Sequence, residues 1–126
     1  MNRRQRRDAE RERGPQLVVD DQRDLAAIQL VHGGPVTFAR TFDEGKQLLY
    51  KAMAYRCLPW DVLYMDHDLG DPNPAHTGYD LLRWLYEQSR PERLPRVVRI
   101  ITMNAAVFKP MTELALHIEK HRAGAK

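Results

Sequence analysis

The fold is decided by the stretch Val-Leu-Tyr-Met-Asp-His-Asp-Leu-Gly at residues 62–70. Its four apolar residues stop abruptly at the Asp-His-Asp triplet, and Gly70 then allows the chain to turn. A short apolar run bounded by turn residues is typical of a strand buried on both faces of a parallel sheet. In open parallel sheets ligands bind at the carboxyl ends of the strands. The triplet is therefore the first candidate site, and the alternative is an exposed polar loop.

Two other predicted strands also end in polar clusters. The apolar run 17–19 leads into Asp20 and Asp21, and the run 97–101 leads into Thr102-Met103-Asn104. A further strand, 36–40, alternates apolar and polar residues, as a half-exposed strand does. Helices are predicted over Gln22 to Val31, after a capping box at 41–44, after Thr77, and from about Pro110 to Gly124.

The predicted order of elements is βαβαβαβα. That pattern calls for right-handed crossovers and a four-stranded parallel sheet with helices on both faces, an α/β, flavodoxin-like three-layer fold. We expect the doubly wound strand order 2-1-3-4. In that order strands 1, 3 and 4 are neighbours. We therefore expect their three polar clusters to converge at one edge of the sheet.

Converging carboxylates repel one another unless a cation lies between them. Mg²⁺ prefers oxygen ligands, so Asp20, Asp21 and Asp66 are the predicted metal ligands. A bound cation attracts phosphate, to which Thr102 and Asn104 could donate hydrogen bonds. Asp66 could instead be a nucleophile on phosphorus, and His67 has the pKa range of a general acid or base. The pattern favours metal-assisted phosphoryl chemistry.

Composition predicts one globular domain, residues 15–126, behind an Arg-rich leader, residues 1–14. The chain has 126 residues and a net charge of +3, and the leader holds six arginines against three acidic residues. The leader could contact RNA phosphates or be merely solvated. No apolar stretch is long enough to span a bilayer and no signal peptide is evident, so a cytoplasmic protein is predicted. The lone Cys57 is predicted to be a small core residue.

Several residues keep two interpretations at this point. Arg23 could clamp a phosphate or pair with a nearby aspartate, and Asn104 could simply cap the loop after strand 4. His117 and His121 have a spacing that zinc enzymes use, but without further ligands they are predicted to be surface histidines. Trp60 and Trp84 are expected to pack in the core or a groove rather than to stack on bases.

Residues 16–122 resemble a response-regulator receiver domain. An acidic pair ends strand 1, Asp66 ends strand 3, and Thr102 ends strand 4. The resemblance implies that Asp20, Asp21, Asp66 and the backbone carbonyl of Asp68 bind Mg²⁺, and that Asp66 accepts phosphate. Receivers also need a lysine after a fifth strand, and Lys109 comes too early in the chain to supply it.

The chain is more similar to the cyclic-phosphate processing receiver-like domains, which are often phage-encoded. Asp20-Asp21-Gln22-Arg23 and Asp66-His67-Asp68-Leu69-Gly70 match motifs of that family. Its His-Ser-x-Asn motif reads Ile101-Thr102-Met103-Asn104 here, so that histidine is missing. This leaves His67 as the main acid–base candidate and His76 as a weaker one.

This second resemblance implies Mg²⁺-dependent processing of a cyclic phosphate, on an RNA end or a cyclic nucleotide. If the chain is phage-encoded, it would act in the host cytoplasm. The catalytic residues would be Asp66, His67 and Asn104, with Arg23, Thr102 and Asn104 binding the phosphate. The alternative is a receiver-like signalling or interaction module that binds metal without turnover. A homodimer could form through an exposed edge strand or helix face.

Overall fold

The computed structural model describes residues 2–3, 13–54 and 57–125. The strands and α-helices of that part, in chain order, are β1 (Gln16–Val19), β2 (Val36–Ala39), α1 (Phe42–Met53), β3 (Val62–Met65), α2 (Gly78–Gln88), β4 (Val97–Ile100) and α3 (Ala105–Ala123). Two 3₁₀ helices span Leu25–Ala27 and Pro91–Arg93. Most of the predicted leader lies outside the described residues.

The sheet confirms the predicted topology. Its order is β2-β1-β3-β4, and every neighbouring pair is parallel. The register aligns Val19 with Met65 and Met65 with Ile100, so that three strands end at the same level. Parallel strands that end together bring the residues that follow them to one edge of the sheet.

The main core lies on the face of the sheet that all three α-helices cover. Alternate strand residues such as Leu17 and Leu63 pack there against Leu49 of α1, Leu82 of α2 and Ile118 of α3. The capping box that precedes α1 is present in part, since the Thr41 hydroxyl accepts from the Glu44 N–H. Each helix therefore buries its apolar side against the same sheet face.

The second face is covered by the β1–β2 connection, and the α-helix predicted over Gln22 to Val31 is wrong. Only the 3₁₀ helix forms there, and Val31 is exposed while Ile28 packs on the sheet. The Val31 N–H donates to the hydroxyl of Tyr64 at 2.8 Å, and Gln16 Nε2 donates to the carbonyls of His32 and Gly34. Because these sheet side chains bond to the connection's backbone, the segment crosses the face with one 3₁₀ turn instead of an α-helix.

The last helix also begins earlier than predicted. It starts at Ala105, with Asn104 as its N-cap, and Pro110 lies inside it. Pro110 has no N–H for the carbonyl of Ala106, but both residues are exposed, so water can satisfy that carbonyl. Glu119 of this helix accepts the outward N–H of Val98 at 2.8 Å, which satisfies one backbone group on the open side of β4. No helix in the described part of the chain is both long and apolar enough to cross a membrane.

Candidate functional site

A pocket of about 390 Å³ opens where β1, β3 and β4 end. Among the described residues, it is lined by Asp20, Asp21, Gln22, Arg23, Asp66, Asp68, Thr102, Met103 and Asn104. Seven of the eight predicted site residues thus lie around one cavity, and the eighth, His67, lies beside it. The parallel register explains the convergence, because it places the residues that follow three neighbouring strands at one level.

An acidic cluster forms the floor of this pocket. One carboxylate oxygen from each of Asp20, Asp21 and Asp66 lies within 4.8 Å of the other two. Asp20 is almost fully buried, at 1% exposure, while the other two are partly exposed. Three oxygen donors at this spacing fit a hard divalent cation such as Mg²⁺, which accepts carboxylates and keeps several waters. Within the described part of the chain, this is the only group of three such ligands.

Asp20 is held in its charged form. Burial by itself would raise the pKa of Asp20, but hydrogen bonds from Arg23 and Gln22 outweigh it and keep that pKa below its ordinary value. The backbone N–H groups of Gln22 and Arg23 donate to Oδ1 at 2.8 and 3.0 Å, and Arg23 Nη1 donates to Oδ2 at 2.6 Å. Asp20 therefore supplies a fixed negative charge.

Asp66 has the opposite electrostatic environment. Burial raises the pKa of Asp66 above its ordinary value, and the negative charge of Asp20 adds to the effect. The N–H of His67, which donates to Asp66 Oδ1 at 2.8 Å, and the hydroxyl of Thr102 act against this rise. A bound cation would stabilise the charged form of Asp66, because it would offset the repulsion between the carboxylates of Asp66 and Asp20 that burial strengthens.

Arg23 lies between these carboxylates. Its Nη1 is 2.6 Å from Asp20 Oδ2 and 3.9 Å from Asp66 Oδ2. Arg23 therefore forms an ion pair with Asp20, one of its two predicted roles, and phosphate binding stays a prediction. Arg40 follows β2 and donates through Nη1 to the carbonyls of Asp20 and Arg23, while its guanidinium stacks over Phe38. We did not predict this support for the loop, because only a paired β2 brings Arg40 next to β1.

Two glycines give the acidic loop its close packing. A Cβ on Gly78 would lie 1.7 Å from the carbonyl oxygen of Asp66, so α2 can start against β3 only with glycine at this position. The Gly78 N–H also donates to the carbonyl of His67 at 2.9 Å. Gly70 has φ of 68°, a conformation that favours glycine, and it turns the chain beside the carboxylate of Asp21.

The two predicted acid–base histidines have different surroundings. His67 is half-buried beside the pocket, with Nδ1 3.2 Å from Oδ1 of the exposed Asp68. His76 stacks on Phe42 with ring centroids 4.2 Å apart, and its Nδ1 lies 2.9 Å from Asp71 Oδ2. His76 therefore fastens the β3–α2 loop to α1, which is a structural role.

Thr102 and Asn104, which follow β4, form another wall of the pocket. The Asn104 N–H donates to the Thr102 hydroxyl at 3.1 Å, and Asn104 Oδ1 accepts from the Ala106 N–H, which caps α3. Asn104 therefore caps α3 through its side chain. Its side-chain amide group stays available as a donor at the pocket wall, so capping and ligand binding can coexist.

The sequence model of one protein family matches this chain. The family is described as the Cyclic-phosphate processing Receiver domain, and the match covers residues 16–117, which include the whole sheet and the acidic pocket. The chain belongs to this family. Comparison with curated proteins and with solved structures gave no match.

This cyclic-phosphate processing receiver domain has an apolar residue, Ile101, at the position where the family motif has a histidine. Ile101 packs on the second face of the sheet with Val18 and Tyr64, and its N–H donates to the carbonyl of Met65. The replacement extends the apolar face up to the edge of the site. Lys109 is exposed on α3 and does not line the pocket.

The remaining residues that the sequence analysis named lie outside the pocket. His117 and His121 both contact the ring of Tyr86, at centroid distances of 6.5 and 5.3 Å. Trp60 packs on the main core and donates to the carbonyl of Leu48, as expected for a packing residue. Cys57 is exposed, so its predicted core position is wrong; it lies in the α1–β3 connection, before the chain reaches the sheet.

Proposed function

We propose that this chain is a divalent-metal-dependent phosphoesterase that opens a cyclic phosphate. The substrate class would be a 2′,3′-cyclic phosphate at an RNA end or a cyclic nucleotide. The observation that carries the proposal is the acidic cluster of Asp20, Asp21 and Asp66, which shares one pocket with donors from β1 and β4. Family membership supports cyclic phosphate as the substrate class.

The carboxylates of the cluster and the backbone carbonyl of Asp68 would hold Mg²⁺. When bound, the cation would supply Lewis-acid stabilisation of charge on a phosphoryl oxygen. The buried Asp20 keeps its charge through three donors, so it contributes a permanent ligand. Asp66 contributes the carboxylate whose charge is least stabilised by its surroundings, which makes it the ligand most sensitive to the cation.

The donors around the cluster would orient the phosphate. Arg23 presents a guanidinium at the rim, and such a group matches two phosphate oxygens. The Thr102 hydroxyl and the Asn104 amide group face the same pocket from β4. Together they would bind the non-bridging oxygens of the phosphate from two sides of the pocket, Arg23 from the loop after β1 and the other two from the loop after β4.

Proton transfer is assigned to His67. Ring opening adds the oxygen of water to phosphorus, breaks one P–O bond, and moves the proton that the water loses to the departing sugar oxygen. The imidazole of His67 lies beside the pocket and is oriented by Asp68. A change of side-chain rotamer would be needed to bring its free nitrogen over the pocket.

The second candidate is a receiver-like module that binds metal and accepts phosphate on Asp66 without turnover. One observation favours it: among the described residues the His67 side chain does not line the pocket. Without a base at the phosphate, Asp66 could be phosphorylated and the acyl phosphate would persist. The partly exposed carboxylate of Asp66 is accessible for that chemistry.

One experiment separates the two candidates. Wild type, Asp66→Asn and His67→Ala are incubated with Mg²⁺ and either an RNA ending in a 2′,3′-cyclic phosphate, 2′,3′-cyclic AMP, or an acyl-phosphate donor. His117→Ala is the matched control, because it removes an exposed histidine far from the pocket. Turnover that both site variants lose and the control keeps supports the enzyme. Stable labelling that only Asp66→Asn loses supports the module, and turnover unaffected by His67→Ala contradicts its assigned role.

A further inference from the structure

A second, larger cavity opens at the opposite edge of the sheet, where the chain enters the strands. Its volume is about 710 Å³. Pro15 precedes β1, Pro35 precedes β2, Asp61 precedes β3 and Arg96 precedes β4, and all four line it. None of the residues in the acidic pocket contributes to it, so the two cavities lie at opposite ends of the same strands.

The walls of this cavity are apolar and closely packed. Its lining includes Leu94, which is 1% exposed, and Trp60, whose indole N–H donates to the carbonyl of Leu48 at 3.2 Å. The backbone of Gly34 lies close to that of Arg13, and a Cβ on Gly34 would lie 2.5 Å from the Arg13 carbonyl oxygen. The cavity is therefore shaped by core packing and close backbone contact, and its volume is within the range of about 300–1,000 Å³ typical of small-molecule sites.

Positive charge surrounds these apolar walls. Three arginines from separate segments line the cavity: Arg13 before β1, Arg96 before β4 and Arg122 in the last turn of α3. Arg96 donates twice to Asp61, at 2.9 and 3.1 Å. Asp61 also contacts His32 Nε2 at 2.7 Å, so the one carboxylate among the described lining residues already has two partners.

The other two arginines carry the argument for an anion. In the described part of the chain, Arg13 and Arg122 form no ion pair. Since Asp61 and Arg96 neutralise each other, the described residues of the lining have an excess of two positive charges beside an apolar wall. This combination is complementary to a ligand that has an anionic group at one end and an apolar, planar or acyl body at the other.

We propose that this cavity is a binding site for a small organic anion. The carboxylate, sulfonate or phosphate of the ligand lies between Arg13 and Arg122, and its apolar body packs on Trp60 and Leu94. The site is independent of the cyclic-phosphate proposal, because it uses different residues at the other end of the sheet. Either proposal can fail while the other holds.

The test uses 1-anilinonaphthalene-8-sulfonate, a fluorescent anion with an aromatic body, titrated into the full-length protein. Trp84→Phe leaves Trp60 as the one tryptophan, so energy transfer from Trp60 to the probe reports binding, and substitution of the cavity arginines locates the bound probe. We expect one probe per chain. Arg13→Gln and Arg122→Gln should each weaken binding roughly tenfold, as expected for loss of one charge-assisted hydrogen bond.

The controls separate this cavity from unspecific adsorption. Arg83→Gln removes an exposed arginine on α2 that pairs with Glu87 and should leave the affinity unchanged. Arg122→Lys should restore part of it, since the charge returns without the forked geometry. Melting curves of each variant check that the fold is intact.

Competing ligands then identify the source of the anion. Displacement of the probe by AMP indicates a nucleotide, and displacement by octanoate indicates an acyl carboxylate; either supports the proposal. The proposal is overturned if Arg13→Gln and Arg122→Gln bind the probe within twofold of wild type, or if Arg83→Gln weakens binding as much as they do.

Discussion

Asp66→Asn should reverse the order of stability between variant and wild type when Mg²⁺ is added. The carboxylate oxygens of Asp20 and Asp21 lie within 4.8 Å of that of Asp66. At an effective dielectric constant of about 20, each pair repels by about 3.5 kcal/mol, while Arg23 at 3.9 Å attracts Asp66 by about 4.3 kcal/mol. At a separation of 4.8 Å the charge of Asp66 is therefore unfavourable by about 3 kcal/mol before screening, and by about 1 kcal/mol once solvent screening of the partly exposed groups is included.

Without divalent cations, the neutral amide should raise the melting temperature. The Asn side-chain oxygen can still accept from the His67 N–H, so the substitution removes the charge and the hydrogen bond from the Thr102 hydroxyl. With an unfolding entropy of about 2.1 cal/mol/K per residue, a gain of about 1 kcal/mol corresponds to about 4 °C for a chain of this length. Mg²⁺ at one hundred times its Kd should stabilise wild type by about 2.7 kcal/mol, or about 10 °C, and the variant by less than half of that.

The assay is a thermal melt followed by circular dichroism, in EDTA and in a MgCl₂ series at constant ionic strength. Asp43→Asn is the matched control, because it makes the same change at an exposed position in the first turn of α1 and should shift with Mg²⁺ as wild type does. Equal Mg²⁺-induced shifts in wild type and Asp66→Asn would refute the assignment of Asp66 as a metal ligand. A variant that melts below wild type in EDTA would refute the electrostatic argument.

Three further outcomes are expected. Gly78→Ala should lower the free energy of unfolding by about 1–3 kcal/mol in urea titrations and weaken Mg²⁺ binding, because the alanine Cβ collides with the Asp66 carbonyl. An unchanged Mg²⁺ affinity would show that this contact does not support the site. The contribution of Asp20 and Asp61 to stability should be complete above about pH 4 and be lost below it, because hydrogen bonds outweigh burial and hold their folded pKa values below the ordinary value of about 3.9. The raised pKa of Asp66 acts in the opposite direction. Urea titrations from pH 2 to 7 check this, and Asp61→Asn should flatten the loss at low pH. Asn104→Ala should lower the free energy of unfolding by about 1 kcal/mol, because α3 loses its N-cap. Asn104→Ser should keep the stability of wild type and lose phosphate binding. Equal losses of stability in both variants would contradict the separation of the two roles.

The acidic pocket could be predicted because its residues follow strands directly. An apolar run that ends at Asp20 or at Asp66 has a local signal, and parallel pairing then requires the ends to meet. The capping residue Thr77 was likewise readable, since its hydroxyl and the Asp80 carboxylate bond to each other's backbone within one turn. Local chemistry of this kind needs no knowledge of the rest of the molecule.

The sequence by itself therefore determined where the strands end, how they are ordered and which carboxylates meet. Only the tertiary structure decided that residues 22–31 form no α-helix, that Arg40 supports the β1 loop, and that His67 lies beside the pocket. The physical reason is distance along the chain: the hydrogen bond between Tyr64 and Val31 joins residues 33 apart, and that between Arg40 and the carbonyl of Asp20 joins residues 20 apart. Such partners are invisible to local periodicity, and they form only after the sheet has placed them side by side.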